Sequence, residues 1–288
     1  MSGSSSLPQH SMLSQVLDWA RQEERIRALV LTGSLARGDG STDQWSDLDA
    51  QIIARDYASY IADDSWLDGL GEVWIRFPLS QDLPYKLVWF AGGAKVDFQF
   101  LRVDAIHEMI CSGALSDEYL RGYIVALDKD GLFRDLPPSP QVFPGPDSPS
   151  AGQVEAVINE FYFEAIHVAQ FIRRREFWVV KFRDWTMKCD LLQMLEWHAR
   201  ATSDAPVNTW LLGKRIREWT GGETYAAIEE IWSAWDVAAL WRGLLRQIKL
   251  FRSISRELGD ALGYNLDSSA HEQIEAYIRA LHASDDLN

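Results

Sequence analysis

Two cysteines, Cys111 and Cys189, are all that the 288 residues contain. So sparse a complement cannot staple a chain of this length, and it predicts reduced thiols in a cytoplasmic protein rather than a disulfide framework. Positive charge is short as well. Lys and Arg number 28 against 42 Asp and Glu, a formal net charge of -14. That balance argues against a nucleic-acid partner, because a phosphate backbone is gripped by a basic face. It suits a polycationic small molecule, which an acidic cleft concentrates. Long apolar runs are missing too: no stretch approaches the ~20 residues that a spanning helix needs, so no membrane partner is expected. Residues 1–11 lack a basic start followed by an apolar run, which predicts no signal peptide. What the chain has in excess is tryptophan, thirteen of them. Such large side chains are expected mainly as core anchors, some of them lining a pocket for a flat or cationic ligand.

Proline is concentrated rather than scattered. Six of the ten prolines fall in LPPSPQVFPGPDSPS, residues 136–150. A segment so poor in backbone donors resists both helix and central strand and reads as a semi-rigid linker. It separates an expected domain over 1–135 from one over 151–288. Before it, short apolar runs at 26–31 and 48–54 read as buried strands, and 72–77, 86–91 and 95–101 as three more. Ala91-Gly92-Gly93-Ala94 supplies a tight turn between the last two. Helices are expected over 11–24 and from Asp104, and a last strand near 123–127. After the linker the apolar period becomes helical, over 153–175, 177–201, 224–235, 237–258 and 268–282. The fold class expected is therefore α+β: a mixed sheet with flanking helices, followed by an all-α helical bundle.

The chemistry concentrates in LTGSLARGDGSTDQWSDLDAQII, residues 31–53. A strand ends at Thr32 and Gly33-Ser34 opens a helix. Gly33 permits close approach of backbone to a phosphate, the helix start offers unpaired N–H groups, and Ser34 adds a hydroxyl. Asp47 and Asp49, two apart at the start of an extended segment, share one face of it. Two adjacent carboxylates repel unless a divalent cation sits between them, and magnesium takes oxygen ligands together with substrate phosphates. A third acid, Asp97, lies on the polar face of a later strand, opposite Val96 and Phe98. The six histidines (His10, His107, His167, His198, His271 and His282) show no metal-ligand spacing, and no serine sits in a GxSxG elbow.

Taken in order, the strand, Gly-Ser turn, Asp-x-Asp and later lone Asp resemble the DNA polymerase beta-like nucleotidyltransferase superfamily. The resemblance implies that Asp47 and Asp49 bind Mg2+, with Asp97 as a further ligand or as the general base for an acceptor hydroxyl. The helical half narrows it. Asn159-Glu160-Phe161, then Arg174, Glu176 and Lys181, and LLQMLEWH at 191–198 are similar to the aminoglycoside 6-adenylyltransferases that inactivate streptomycin. So are Gly213-Lys214, Thr224-Tyr225, Leu250-Phe251-Arg252 and Leu262-Gly263-Tyr264, so the likeness spans roughly residues 11–265. It implies transfer of AMP from ATP to a hydroxyl of a cationic acceptor, in a monomer or weak dimer. Gly33, Ser34 and Lys181 would then serve the triphosphate, and Glu160, Glu164 and Glu176 the acceptor.

Two departures bear on this. Leu35 stands where the family tends to have Arg after Gly-Ser, with Arg37 one turn on as its substitute. The family's Arg-Asp-Glu reads Arg174-Arg175-Glu176, a base in place of an acid near the acceptor. Rival expectations are a protein side chain as acceptor and an inactive nucleotide-binding module. The long helical half speaks against minimal protein-modifying versions, and the three acids against inactivity.

Overall fold

The computed structural model describes residues 8–78, 83–145 and 147–285. The chain divides into two compact units, Met1–Pro144 and Gly145–Asn288.

The first unit is built on a six-stranded sheet in the order β3-β4-β5-β2-β1-β6, comprising β1 (Ile26–Leu31), β2 (Leu48–Ala54), β3 (Val73–Phe77), β4 (Tyr85–Phe90), β5 (Lys95–Arg102) and β6 (Ile124–Asp128). Around it lie α1 (Pro8–Gln22), α2 (Gly33–Arg37), α3 (Tyr57–Ala62), α4 (Val103–Ser112) and α5 (Asp117–Arg121). α5 has no counterpart among the expected elements. It is a single short turn-and-a-half, capped by Ser116 accepting from the Tyr119 amide, and too short to display a helical period. The Ala91–Ala94 hairpin forms as the glycines predict: Gly92 and Gly93 both have positive φ, and the Phe90 amide donates to the Ala94 carbonyl at 2.8 Å.

Every pairing in the sheet is antiparallel except β2 with β5. The parallel register sets Leu48 beside Val96, Asp49 beside Asp97 and Gln51 beside Gln99. The alternate residues Val96, Phe98 and Phe100 are fully buried on one face, against Trp19, Tyr60 and Trp66. The period of two therefore commits Asp97 and Gln99 to the other face.

The second unit is entirely helical: α6 (Ala151–Arg173), α7 (Phe177–Thr202), α8 (Ile216–Trp219), α9 (Gly222–Glu230), α10 (Val237–Leu262) and α11 (Ser269–Asp285). A capping box starts α6, with Ser150 accepting from the Gln153 amide and the Gln153 side chain returning to Ser150. Its core is a row of apolar side chains centred on Phe161, Met194 and Phe251, with the Phe161 and Phe251 rings stacked at 3.6 Å. The helix expected over 224–235 is shorter in the structure. It stops at Glu230, and the following turn runs to Asp236, which caps α10.

Most tryptophans are not core anchors. Trp45, Trp74, Trp89, Trp178, Trp185, Trp210, Trp232 and Trp235 are exposed, eight of the thirteen, whereas only Trp197 and Trp241 are buried. On the helical unit they pair at the surface, Trp178 with Trp235 and Trp185 with Trp232.

Arg175, the base in the family's acidic position, has a structural duty. Its Nη1 donates to Asp285 Oδ2 at 2.9 Å, Arg173 donates to Asp285 Oδ1 at 3.1 Å, and the Trp241 indole donates to Oδ2 at 2.8 Å. Burial pushes the Asp285 pKa up, but the hydrogen bonds from Arg175 and Trp241 outweigh it and hold the group below the ordinary carboxylate range. Asp285→Asn should therefore lower stability by about 1–3 kcal/mol at neutral pH, read as a lower urea midpoint. The deficit should shrink as the wild-type carboxylate is protonated in acid, because a depressed pKa contributes stability only above it.

Candidate active site

Three acids converge in the first unit. Asp47 ends the loop before β2, Asp49 is the second residue of that strand, and Asp97 is the third of β5. One carboxylate oxygen from each lies within 4.8 Å of the others, and all three residues are half-buried. The grouping follows from the backbone. Asp47 and Asp49 share a face because they are two apart, and the parallel register brings Asp97 directly beside Asp49. Three hard oxygen donors at this spacing match the preference of a small divalent cation.

Lys95 belongs to the same face and did not stand out in the sequence. Its ammonium donates to Asp47 Oδ2 at 2.9 Å and to the Asp97 carboxylate at 2.8 Å. Burial works against its charge, yet the hydrogen bonds it donates to Asp97 and Asp47 prevail and raise its pKa. The i, i+2 relation of Lys95 to Asp97 on a strand is the signal that could have revealed it.

Gly33 opens α2 with φ +67°, and a Cβ there would lie 1.8 Å from Asp49 Oδ2. The close approach that demands glycine is thus first of all to Asp49. The Thr32 amide donates to the Asp49 carbonyl at 3.1 Å, which ties the turn to the acid-bearing strand. Ser34 is half-buried one residue on. α2 is only five residues long, so the turn offers local N–H groups rather than a long helix dipole. Arg37 ends it and donates to Asp39 Oδ2 and Ser41 Oγ, both at 3.1 Å, bracing the loop that leads to Asp47.

The remaining expected residues lie in the second unit. The Lys181 ammonium donates to Ser233 Oγ at 2.9 Å and to the Ser233 carbonyl. Glu160 is exposed on α6. Glu164, one turn on, accepts from Arg183 Nη1 at 3.0 and 2.9 Å. Glu176 stands at the N-cap position of α7 without a side-chain capping bond and is exposed. The residue that sequence reading missed here is Asp190. It sits in the middle of α7, 7% exposed, and its Oδ2 has no hydrogen-bond partner among the described residues. Burial, and then the charges of Glu160 and Glu164, push its pKa from 3.8 to about 7.

Two expectations follow from this geometry. Gly33→Ala should lose at least about 1–2 kcal/mol from the left-handed backbone alone. Because its methyl would displace Asp49, it should also weaken Mn2+ binding, monitored by electron paramagnetic resonance. Asp190→Asn should behave in the opposite sense. A carboxyl whose folded pKa is raised binds protons that the unfolded chain has released, so stability falls as pH climbs from about 4 to about 7 and the penalty is complete above that. The variant should melt about 3–6 °C above wild type at pH 8, with the gap narrowing at pH 5, by calorimetry.

Comparison with known proteins covers most of the chain. The family model described as streptomycin adenylyltransferase matches residues 8–281. An aminoglycoside 6-adenylyltransferase of Bacillus subtilis is 22% identical over 96% of this chain and 98% of its own length. One from Campylobacter jejuni is also 22% identical, over 86% of this chain and 87% of its own. Among solved structures, the crystal structure of an aminoglycoside 6-adenyltransferase from Bacillus subtilis is 19% identical, covering 94% of this chain and 97% of that one with a TM-score of 0.47.

Proposed function

The chain belongs to the streptomycin adenylyltransferase family, a family of nucleotidyltransferase enzymes, and on that premise we propose that it transfers AMP from ATP to a hydroxyl of an aminoglycoside such as streptomycin. The observation that carries this reading is the convergence of Asp47, Asp49 and Asp97 within 4.8 Å, beside a glycine turn shaped around one of them.

In this reading Asp47 and Asp49 would hold Mg2+, and Asp97 would complete the ligand set or take the acceptor's proton. A divalent cation held there would supply charge to offset the triphosphate and would favour alignment of the attacking and leaving oxygens. The chain's own groups do the rest. The Gly33 turn and the Ser34 hydroxyl offer donors to phosphate oxygens, and Arg37 supplies positive charge for the triphosphate. The acceptor oxygen forms its bond to the α-phosphorus as the bond to the β-phosphate oxygen breaks, and pyrophosphate leaves with that electron pair. The hydroxyl proton passes to a carboxylate or to water. On the acceptor side, Glu160, Glu164 and Glu176 favour a cationic molecule, as does the net charge of -14.

Pyrophosphate release from ATP and Mg2+ across a panel of aminoglycosides tests the proposal. Streptomycin should stimulate release, and Asp49→Asn should cut the rate more than about 100-fold, beyond what loss of a mere supporting contact costs. No release with any aminoglycoside would remove the acceptor assignment, and stimulated release undiminished in Asp49→Asn would remove the assignment of the site.

A further inference from the structure

Asp190 is expensive by every physical measure. Aspartate is a poor helix-interior residue, yet Asp190 stands in the body of the 26-residue α7. A buried carboxyl ordinarily has a partner for each oxygen, whereas Asp190 Oδ2 has none among the described residues. The nearby negative charges that act on it, Glu160 and Glu164 of α6, make ionisation harder still.

The local cations are committed elsewhere. Arg183 is bound by both oxygens of Glu164. Lys188, also buried, donates to Asp184 at 2.6 Å and to the Gln247 side-chain oxygen at 3.1 Å. Lys181 is held by Ser233. Among the described residues, the three acids face Arg183, already taken by Glu164, and one of the three is sealed from water with an oxygen unmatched. An apolar residue of similar size would serve packing better, so packing does not account for the choice. Unmatched polar groups and stored instability of this kind mark places where a ligand completes the structure.

We propose that Asp190, with Glu160 and Glu164 beside it, is a seat for a cationic nitrogen group of the acceptor, a guanidinium or ammonium whose N–H donors satisfy Asp190 Oδ2. This rests on the acceptor being a polycationic small molecule, and it assigns its recognition to a residue outside the acids of the sequence motif. Glu160, exposed at the cluster, provides the entry charge, and Asp190 the desolvated contact, where a charge-assisted hydrogen bond is strongest. The ligand reverses the like-charge repulsion that the cluster carries without it.

Titration calorimetry of the full chain with streptomycin, and with Mg2+ and ATP in separate runs, tests the proposal. Asp190→Asn should bind streptomycin roughly 10- to 100-fold more weakly, and Glu160→Gln should be weakened by a smaller factor. Nucleotide binding should stay unchanged in both. Because Asp190→Asn is expected to be more heat-stable than wild type at pH 8, misfolding would not explain a loss. Streptomycin binding undiminished in Asp190→Asn overturns the proposal while leaving the adenylyltransferase reading intact. So does a wild-type protein that binds neither streptomycin nor spermine yet releases pyrophosphate with a neutral acceptor. Absence of pyrophosphate release with every acceptor, alongside Asp190-dependent streptomycin binding, would instead sink the reaction and keep the cation seat.

Discussion

One pair of strands decides where chemistry can happen in this protein. β2 and β5 run parallel in a sheet otherwise antiparallel, and their register lays Asp49 against Asp97. Shifting either strand by one residue would send an acid into the aromatic core and a core side chain into the site, because side chains alternate faces. The burial of Val96, Phe98 and Phe100 on one side therefore holds Asp97 on the other. The apolar face fixes the polar one, and Asp47, Lys95 and the Gly33 turn are arranged about a position that core packing has already set.

The two units place acids in different physical situations. In the sheet unit, the carboxylates have a cation within reach, since Lys95 bridges Asp47 and Asp97. In the helical unit, Asp285 likewise has two arginines and an indole N–H. Asp190 Oδ2 has no such match among the described residues, and Glu160 and Glu164 add to its burden. Charge alone does not distinguish these acids; the partners do.

Local pattern made much of the molecule legible. Alternation exposed β5, short apolar runs exposed β1 and β2, and glycine placed the 91–94 hairpin. The three acids could be picked out because each sits at a strand boundary or on a polar strand face. Their meeting depends on parallel pairing between segments some fifty residues apart, which no local window contains. Lys95 looked like an ordinary strand-end lysine until that pairing set Asp47 beside it. Asp190 was hidden for a related reason: in a helix of mixed polarity its burial is decided by packing against other helices, not by its own neighbours in sequence. The tryptophans misled in the other direction, since size predicts burial, and eight of them are exposed. The overlong helix at 224–235 arose because Trp232 and Trp235 continue the helical spacing through a turn that Asp236 then ends by capping α10.

Gly33 can be seen as a cast of Asp49. The space a methyl group would take is filled by the carboxylate, so no side chain can enter at 33 while the acid stays at 49. In descendants of this chain, an acid at 49 with a bulkier residue at 33 would describe a site already deformed. A glycine kept at 33 with the acid gone would be a relic, retained for its backbone angle alone. The two positions are then best read jointly, as one character of two letters.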